Sequence, residues 1–291
     1  MHPSVLADQL QERRVPGDLV AWIESFCNRR SASVVVGGYE SLVKDIGHAG
    51  IPQGSPLSPI LYAFYNANLV QGQINKRQGS IGFIDDYNAW VVGPSAAENT
   101  RRLQTQLLPR AEKWTQESGA VFEAQKTAFI HFVRPLQPDR GLTNHLVFGN
   151  KTVAPKQRVK ILGVTLDSGL SMNEHMSKAV SKAIGKCMAL RKICGVRLAQ
   201  MRQMYIVAVV PTTDYAASTW YALSRIGVKR HVAALERVQR LAARLILRAF
   251  KSVAMLVLQS EAKLQSVSER LHERVSNHIT KLCSLALDHP L

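Results

Sequence analysis

The stretch Gly82-Phe83-Ile84-Asp85-Asp86-Tyr87 sets two adjacent carboxylates inside an otherwise apolar run from Ser80 to Val92. Buried without partners, carboxylates are strongly unfavourable, so the pair must face water, a cation or a metal. Alternation along a strand turns neighbouring side chains to opposite faces, which stops both from gripping one ion within a regular strand. A tight turn between two strands removes that obstacle by presenting both at its tip. Taken alone, the pair reads first as a structural Asp-Asp turn, because Asp tolerates turn geometry. The other reading is a site for a hard cation such as Mg²⁺, which takes carboxylate oxygens and keeps positions for water or phosphate.

Working outward, Gly50-Ile51-Pro52-Gln53-Gly54-Ser55-Pro56 cannot be regular structure, and it opens onto Leu57 to Val70, an apolar segment of helical length. Leu6 to Phe26 reads as helix broken at Val15-Pro16-Gly17. Ser33-Val34-Val35-Val36 before Gly37-Gly38 predicts a strand and a hairpin turn. Ser95 with Glu98 makes a capping box for a helix ending near Gly119. Further strands are expected in KTAFIHF (Lys126 to Phe132), on both sides of Gly149-Asn150, and over Val159 to Leu166. After Asn173 long helical patterns dominate. The fold class is therefore α+β, mixed structure followed by an all-helical part, with the change of character near residues 167–175.

Composition narrows the function classes. The 291 residues carry 37 Lys+Arg against 21 Asp+Glu, a formal net charge of +16. Residues 1–150 hold 14 and 13 of these, which leaves 23 and 8, a net +15, for residues 151–291. Such asymmetry favours a polyanionic partner for the second half, or simply a Lys/Arg-rich solvated surface. Arg237, Arg240, Arg244 and Arg248 form a stripe at helical spacing opposite Leu235, Val238, Leu241, Ala242 and Leu245. Lys178, Lys182, Lys186 and Lys192 can extend it. Cys27, Cys187, Cys194 and Cys283 fit neither a disulfide framework nor a zinc site, and suit a reducing compartment. The N-terminus has no signal-peptide core, and the most apolar later run, Tyr205 to Tyr221, is interrupted by Pro211 and Asp214. Secreted, disulfide-rich and membrane classes are set aside in favour of a soluble, basic, intracellular protein.

Four ordered segments, GIPQGSPLSPILYAFYNANL (Gly50 to Leu69), FIDDY (Phe83 to Tyr87), KTAFIHF and ILGVTLD (Ile161 to Asp167), resemble those of the reverse transcriptases of non-LTR retrotransposons in order and spacing. The resemblance covers about residues 1–250. It implies a partial polymerase palm over residues 1–170, an antiparallel sheet with packed helices, and a helical thumb over residues 171–291. It also implies two-metal nucleotidyl transfer with Mg²⁺ or Mn²⁺. Asp85 and Asp86 would be the metal ligands, and Lys126 would contact or protonate the triphosphate. Gln53, Gly54, Ser55 and Pro56 would meet nucleotide or template, with Gly54 allowing close backbone approach. Leu162 and Gly163 would form the primer-side hairpin, and Arg237, Arg240, Arg244 and Arg248 would hold nucleic-acid phosphates. The implied partners are an RNA template, a DNA primer and deoxynucleoside triphosphates, in the nucleus. Oligomeric state is not legible.

One departure stands beside these matches. The family carries another catalytic Asp in an upstream A-F-D strand, and neither Asp8 nor Asp18 fits that pattern. Fingers, endonuclease and RNase H regions are not recognised either. The expectation is thus a 5′-truncated polymerase fragment, inactive as this chain, with a non-catalytic, basic nucleic-acid-binding remnant as the alternative.

Overall fold

A computed structural model describes residues 2–28, 30–47, 50–72, 74–123, 125–132, 144–149, 151–221 and 227–285. The chain divides into two compact units, the first holding Met1–His131 and Pro138–Lys156 and the second Phe132–Gln137 and Gln157–Leu291. The Val159–Leu166 hairpin therefore belongs with the helical half.

The first unit contains helices α1 (Pro3–Glu12), α2 (Gly17–Cys27), α3 (Ser58–Val70), α4 (Ala96–Arg102) and α5 (Leu108–Ser118). Its strands are β1 (Ser31–Ala32), β2 (Val35–Val36), β3 (Tyr39–Glu40), β4 (Lys44–Asp45), β5 (Gln78–Phe83), β6 (Asp86–Val91), β7 (Leu146–Phe148) and β8 (Lys151–Val153). The expected break falls between Glu12 and Gly17, with Pro16 at the N-cap of α2. Gly37 and Gly38, both at positive φ, turn β2 into β3, the conformation a two-residue hairpin loop requires. Ser95 caps α4 by accepting from the Glu98 amide. The Glu98 carboxylate, however, goes to Arg101 and Arg102 rather than back to Ser95, so half of the capping box forms. Gly119, at φ 69°, closes α5.

The core of this unit is helical. Leu6 and Leu10 of α1, Val20 and Ile23 of α2, Leu61, Tyr65 and Leu69 of α3, and Ala111 and Trp114 of α5 bury one another. Each large apolar side chain among them contributes about 1.5–3 kcal/mol relative to exposure. The Tyr65 hydroxyl donates to the Ser118 carbonyl at 2.6 Å, which satisfies the polar end of a ring that α3 sinks into that core.

The expected palm sheet does not appear as one sheet. Among the described residues the strands form separate two-stranded antiparallel ribbons. KTAFIHF is not a strand: the Lys126 and Thr127 amides both turn back onto the Glu123 carbonyl, which takes the donors a ladder would need. Only Phe129 bridges, to Pro155.

The second unit opens with the hairpin β9 (Arg158–Ile161) and β10 (Val164–Asp167), followed by helices α6 (Asn173–Arg191), α7 (Leu198–Met204), α8 (Val210–Thr213), α9 (Ala217–Trp220), α10 (Val228–Leu247), α11 (Met255–Glu261) and α12 (Val267–Cys283). On α10, Val228, Val232, Leu235, Val238, Ala242 and Ile246 are buried at spacings of three and four. They pack with α6, α11 and α12. The hairpin joins this core through Val164, beside Met172, Met176 and Trp220.

Two π-helical segments, Leu103–Leu107 and Tyr205–Val209, each run into a helix with proline at its start, Pro109 and Pro211. A proline lacks the amide for the regular bond and its ring crowds the carbonyl four residues back. One wider turn relieves both problems without ending the helix. No helix among the described residues is long and apolar enough to cross a membrane.

Candidate active site

β5 and β6 pair from Gln78↔Val91 to Phe83↔Asp86, which leaves Ile84 and Asp85 as a two-residue turn. Asp85 stands in the turn and Asp86 begins the returning strand, and both are exposed. Ile84 adopts φ 52°. A β-branched residue there is a genuine outlier, with a cost of about 1–3 kcal/mol.

The hairpin lies along one face of α3. A Cβ on Gly82 would stand 3.0 Å from Val70 Cγ1, and Asn66 Nδ2 donates to the Ile84 carbonyl at 2.7 Å. Burial raises the Tyr62 phenol above its ordinary value, and the Asp85 charge adds to the rise. Residues 70, 66 and 62 succeed one another at four-residue spacing, hence on one face. They meet residues 82, 84 and 85 in turn, so the tip points toward the N-terminal end of α3.

That end carries the glycine loop. Gly54 sits at φ 92°, and a Cβ there would meet nothing within 4 Å. The glycine is thus required by backbone conformation, and the space above it is open. Gln53 and Pro56 are exposed and Ser55 is half-buried. Ser58 fixes the loop by donating its hydroxyl to the Pro52 carbonyl at 2.5 Å, and the Ser55 hydroxyl accepts from the Leu57 amide. With Pro59 in the first turn of α3, the chain enters the helix in one direction.

Lys126 is exposed and pairs with Glu123 at 2.5 Å. Its hydrogen bond to Glu123 raises its pKa first, and Asp85 contributes a further rise. The amine is therefore held as an ammonium, suited to contacting an anion more than to giving up a proton. Neither Asp85 nor Asp86 accepts a hydrogen bond or forms an ion pair among the described residues. As consecutive exposed carboxylates they offer the hard oxygen donors that Mg²⁺ or Mn²⁺ take, and one or two such ligands with water and phosphate suffice for Mg²⁺. Among the described residues no group of three metal-ligating side chains forms.

The remaining predicted residues lie in the second unit. Leu162 (φ 45°) and Gly163 (φ 84°) are the two turn residues between β9 and β10. Arg237 and Arg240 are exposed on α10. Arg244 instead donates to the Lys251 carbonyl at 2.6 Å, and Arg248 ends the helix in a left-handed conformation. Of the four, Arg237, Arg240 and Arg248 are exposed and, among the described residues, only Arg244 is engaged within its unit. Lys186, read as part of the same track, donates to Ala208 and Thr212 inside the unit.

The profile of one family, described as reverse transcriptase (RNA-dependent DNA polymerase), matches residues 3–166. The chain belongs to the reverse transcriptase family. The RNA-directed DNA polymerase from mobile element jockey of Drosophila melanogaster is 27% identical over 181 residues, which is 60% of this chain and 19% of that protein. Its namesake in Drosophila funebris is 24% identical over 276 residues, 89% of this chain and 29% of that protein. The probable RNA-directed DNA polymerase from transposon BS of Drosophila melanogaster is 22% identical over 276 residues, covering 92% and 30%. This chain is a reverse transcriptase domain of the non-LTR retrotransposon kind, and it spans 19–30% of the length of these relatives.

Sequence reasoning passed over Asn66, which ties the Asp85 hairpin to α3, and Tyr215, which contacts the second hairpin. A polar Asn inside the apolar run Leu57–Val70 was the available signal.

Proposed function

We propose that this domain takes part in RNA-directed DNA synthesis, with Asp85 and Asp86 as ligands of a catalytic divalent cation. The observation that carries the reading is the Asp85 turn lying along α3, its tip toward the Gln53–Gly54 loop. A bound Mg²⁺ or Mn²⁺ would activate the primer 3′-hydroxyl and stabilise the leaving pyrophosphate. Gln53, Gly54, Ser55 and Pro56 would line the incoming nucleotide and template base, where the open space over Gly54 admits a planar group. Lys126 would lie against the triphosphate as a fixed positive charge. Leu162 and Gly163 would support the primer end. Arg237, Arg240 and Arg248, rather than the whole arginine stripe, would contact phosphates of the RNA–DNA duplex. The palm and thumb labels for the two units belong to this reading, as does action in the nucleus.

Primer extension on poly(rA)/oligo(dT) with deoxythymidine triphosphate and Mg²⁺ or Mn²⁺ tests it. Extension that Asp85→Asn abolishes would support Asp85 as a metal ligand and overturn the expectation of an inactive chain, and extension untouched by that change would overturn the assignment of Asp85. A second reading, binding without catalysis, is favoured by the net +15 of residues 151–291 and the exposed Arg237 and Arg240. It predicts salt-sensitive duplex binding with no extension.

A further inference from the structure

The two-residue turns of this chain solve one conformational problem in different ways. Between β2 and β3 the positive-φ positions are Gly37 and Gly38, and between β9 and β10 one of the two is Gly163. Glycine meets this demand without strain. At the carboxylate turn the positive-φ position is Ile84, which has no such freedom. Something outside the turn must then hold it.

Asn66 is placed to do so. It is 8% exposed, lies mid-way along α3 on the face the hairpin follows, and donates Nδ2 to the Ile84 carbonyl at 2.7 Å. A hydrogen bond at that carbonyl fixes the peptide between Ile84 and Asp85, and hence the direction in which the Asp85 side chain leaves the backbone.

We infer that Asn66 is a positioning residue: it clamps the left-handed Ile84 so that Asp85 and Asp86 present their oxygens to one cation. The inference rests on reading those carboxylates as metal ligands, and it assigns the clamp to a helix residue outside the loop and the hairpin. Groups that orient a metal ligand change affinity when removed, by about 10–100-fold in known sites.

The test is Mn²⁺ binding to the full chain, followed by the electron paramagnetic resonance signal of free Mn²⁺, beside thermal melting of each variant. Asp85→Asn should abolish the binding. Asn66→Leu, which keeps the volume and removes the donor, should weaken it about tenfold or more with the melting temperature little changed. In an Ile84→Gly background the turn no longer needs the clamp, so Asn66→Leu should then cost less than threefold. This last comparison also serves if Asn66→Leu alone folds poorly, since a merely structural role would give the same loss in both backgrounds. Wild-type binding that survives Asp85→Asn would overturn the metal reading itself. Loss in Asp85→Asn with full binding in Asn66→Leu would leave that reading standing and overturn the clamp.

Discussion

Tyr215 and Leu162 are joined by a 2.6 Å hydrogen bond from the phenol to the turn carbonyl between β9 and β10. The Tyr215 ring also lies 3.1 Å from the place a Cβ on Gly163 would occupy. The turn is thus held from the helical side of its own unit, as the carboxylate turn is held by Asn66. Gly163→Ala meets both a positive φ and an aromatic wall, and should destabilise the chain by about 1–3 kcal/mol in urea denaturation. Tyr215→Phe, which removes one partly exposed hydrogen bond and keeps the ring, should cost about 0.5–1 kcal/mol. Equal effects would show that the ring does not restrict the glycine.

Duplex binding should separate the arginines of α10. Arg237 and Arg240 point to solvent, so changing both to Ala should lower the slope of log K against log salt by about 1.8, or 0.9 per phosphate contact on duplex DNA. Arg244 is bonded to the Lys251 carbonyl. Arg244→Ala should leave the slope unchanged and lower stability. A fall in slope from Arg244→Ala matching that of Arg240→Ala would restore the full stripe.

Asp167 makes the start of α6 sensitive to acid. Burial alone would raise its carboxyl, but hydrogen bonds from the Ser171 amide and hydroxyl and from the Met172 and Gly169 amides bring it below the ordinary value. Because the folded value is the lower one, the unfolded chain takes up the proton first. The stabilisation is complete above about pH 4 and fades as pH falls through the folded value. Asp167→Ala should cost about 0.5–2 kcal/mol at pH 7, as loss of a helix-start acceptor does. The gap to the wild type should narrow between pH 4 and pH 2 in urea titrations.

Asp214 is the acid that interrupts the apolar run Tyr205–Tyr221. Its side chain is wholly buried and ion-paired to Arg270 at 2.8 Å and Arg274 at 3.2 Å. Arg270 also donates to Gln239, itself fully buried. Removing the carboxylate leaves a largely buried guanidinium uncompensated, so Asp214→Ala should destabilise by about 3–5 kcal/mol. Asp214→Ala with Arg270→Met should recover much of that loss in thermal melts.

Local signals carried much of the fold. Pro16-Gly17, Gly37-Gly38, Ser95 and Gly119 state their own conformations, and the turns fall where those residues are. The apolar period of α10 gave its buried face directly. What was not legible depends on contacts distant in sequence. KTAFIHF has strand composition, yet its first two amides are taken by the Glu123 carbonyl. Arg244 and Lys186 look like their solvated neighbours, and only the fold reveals the carbonyls they reach. The turn was readable at Asp85, whereas Asp86 already belongs to the returning strand. Asn66, eighteen residues before Ile84, carried no mark of its bond beyond being polar in an apolar helix.

The placement of the cation is tested most directly by Fe²⁺-directed backbone cleavage, in which iron at a Mg²⁺ site generates radicals that cut nearby chain. Cuts should cluster at Phe83–Tyr87 and, on α3, at Tyr62–Asn66, should fade as Mg²⁺ is added, and should vanish in Asp85→Asn. Cuts confined to other segments, or a pattern unchanged by Asp85→Asn, would contradict a metal centre at this hairpin.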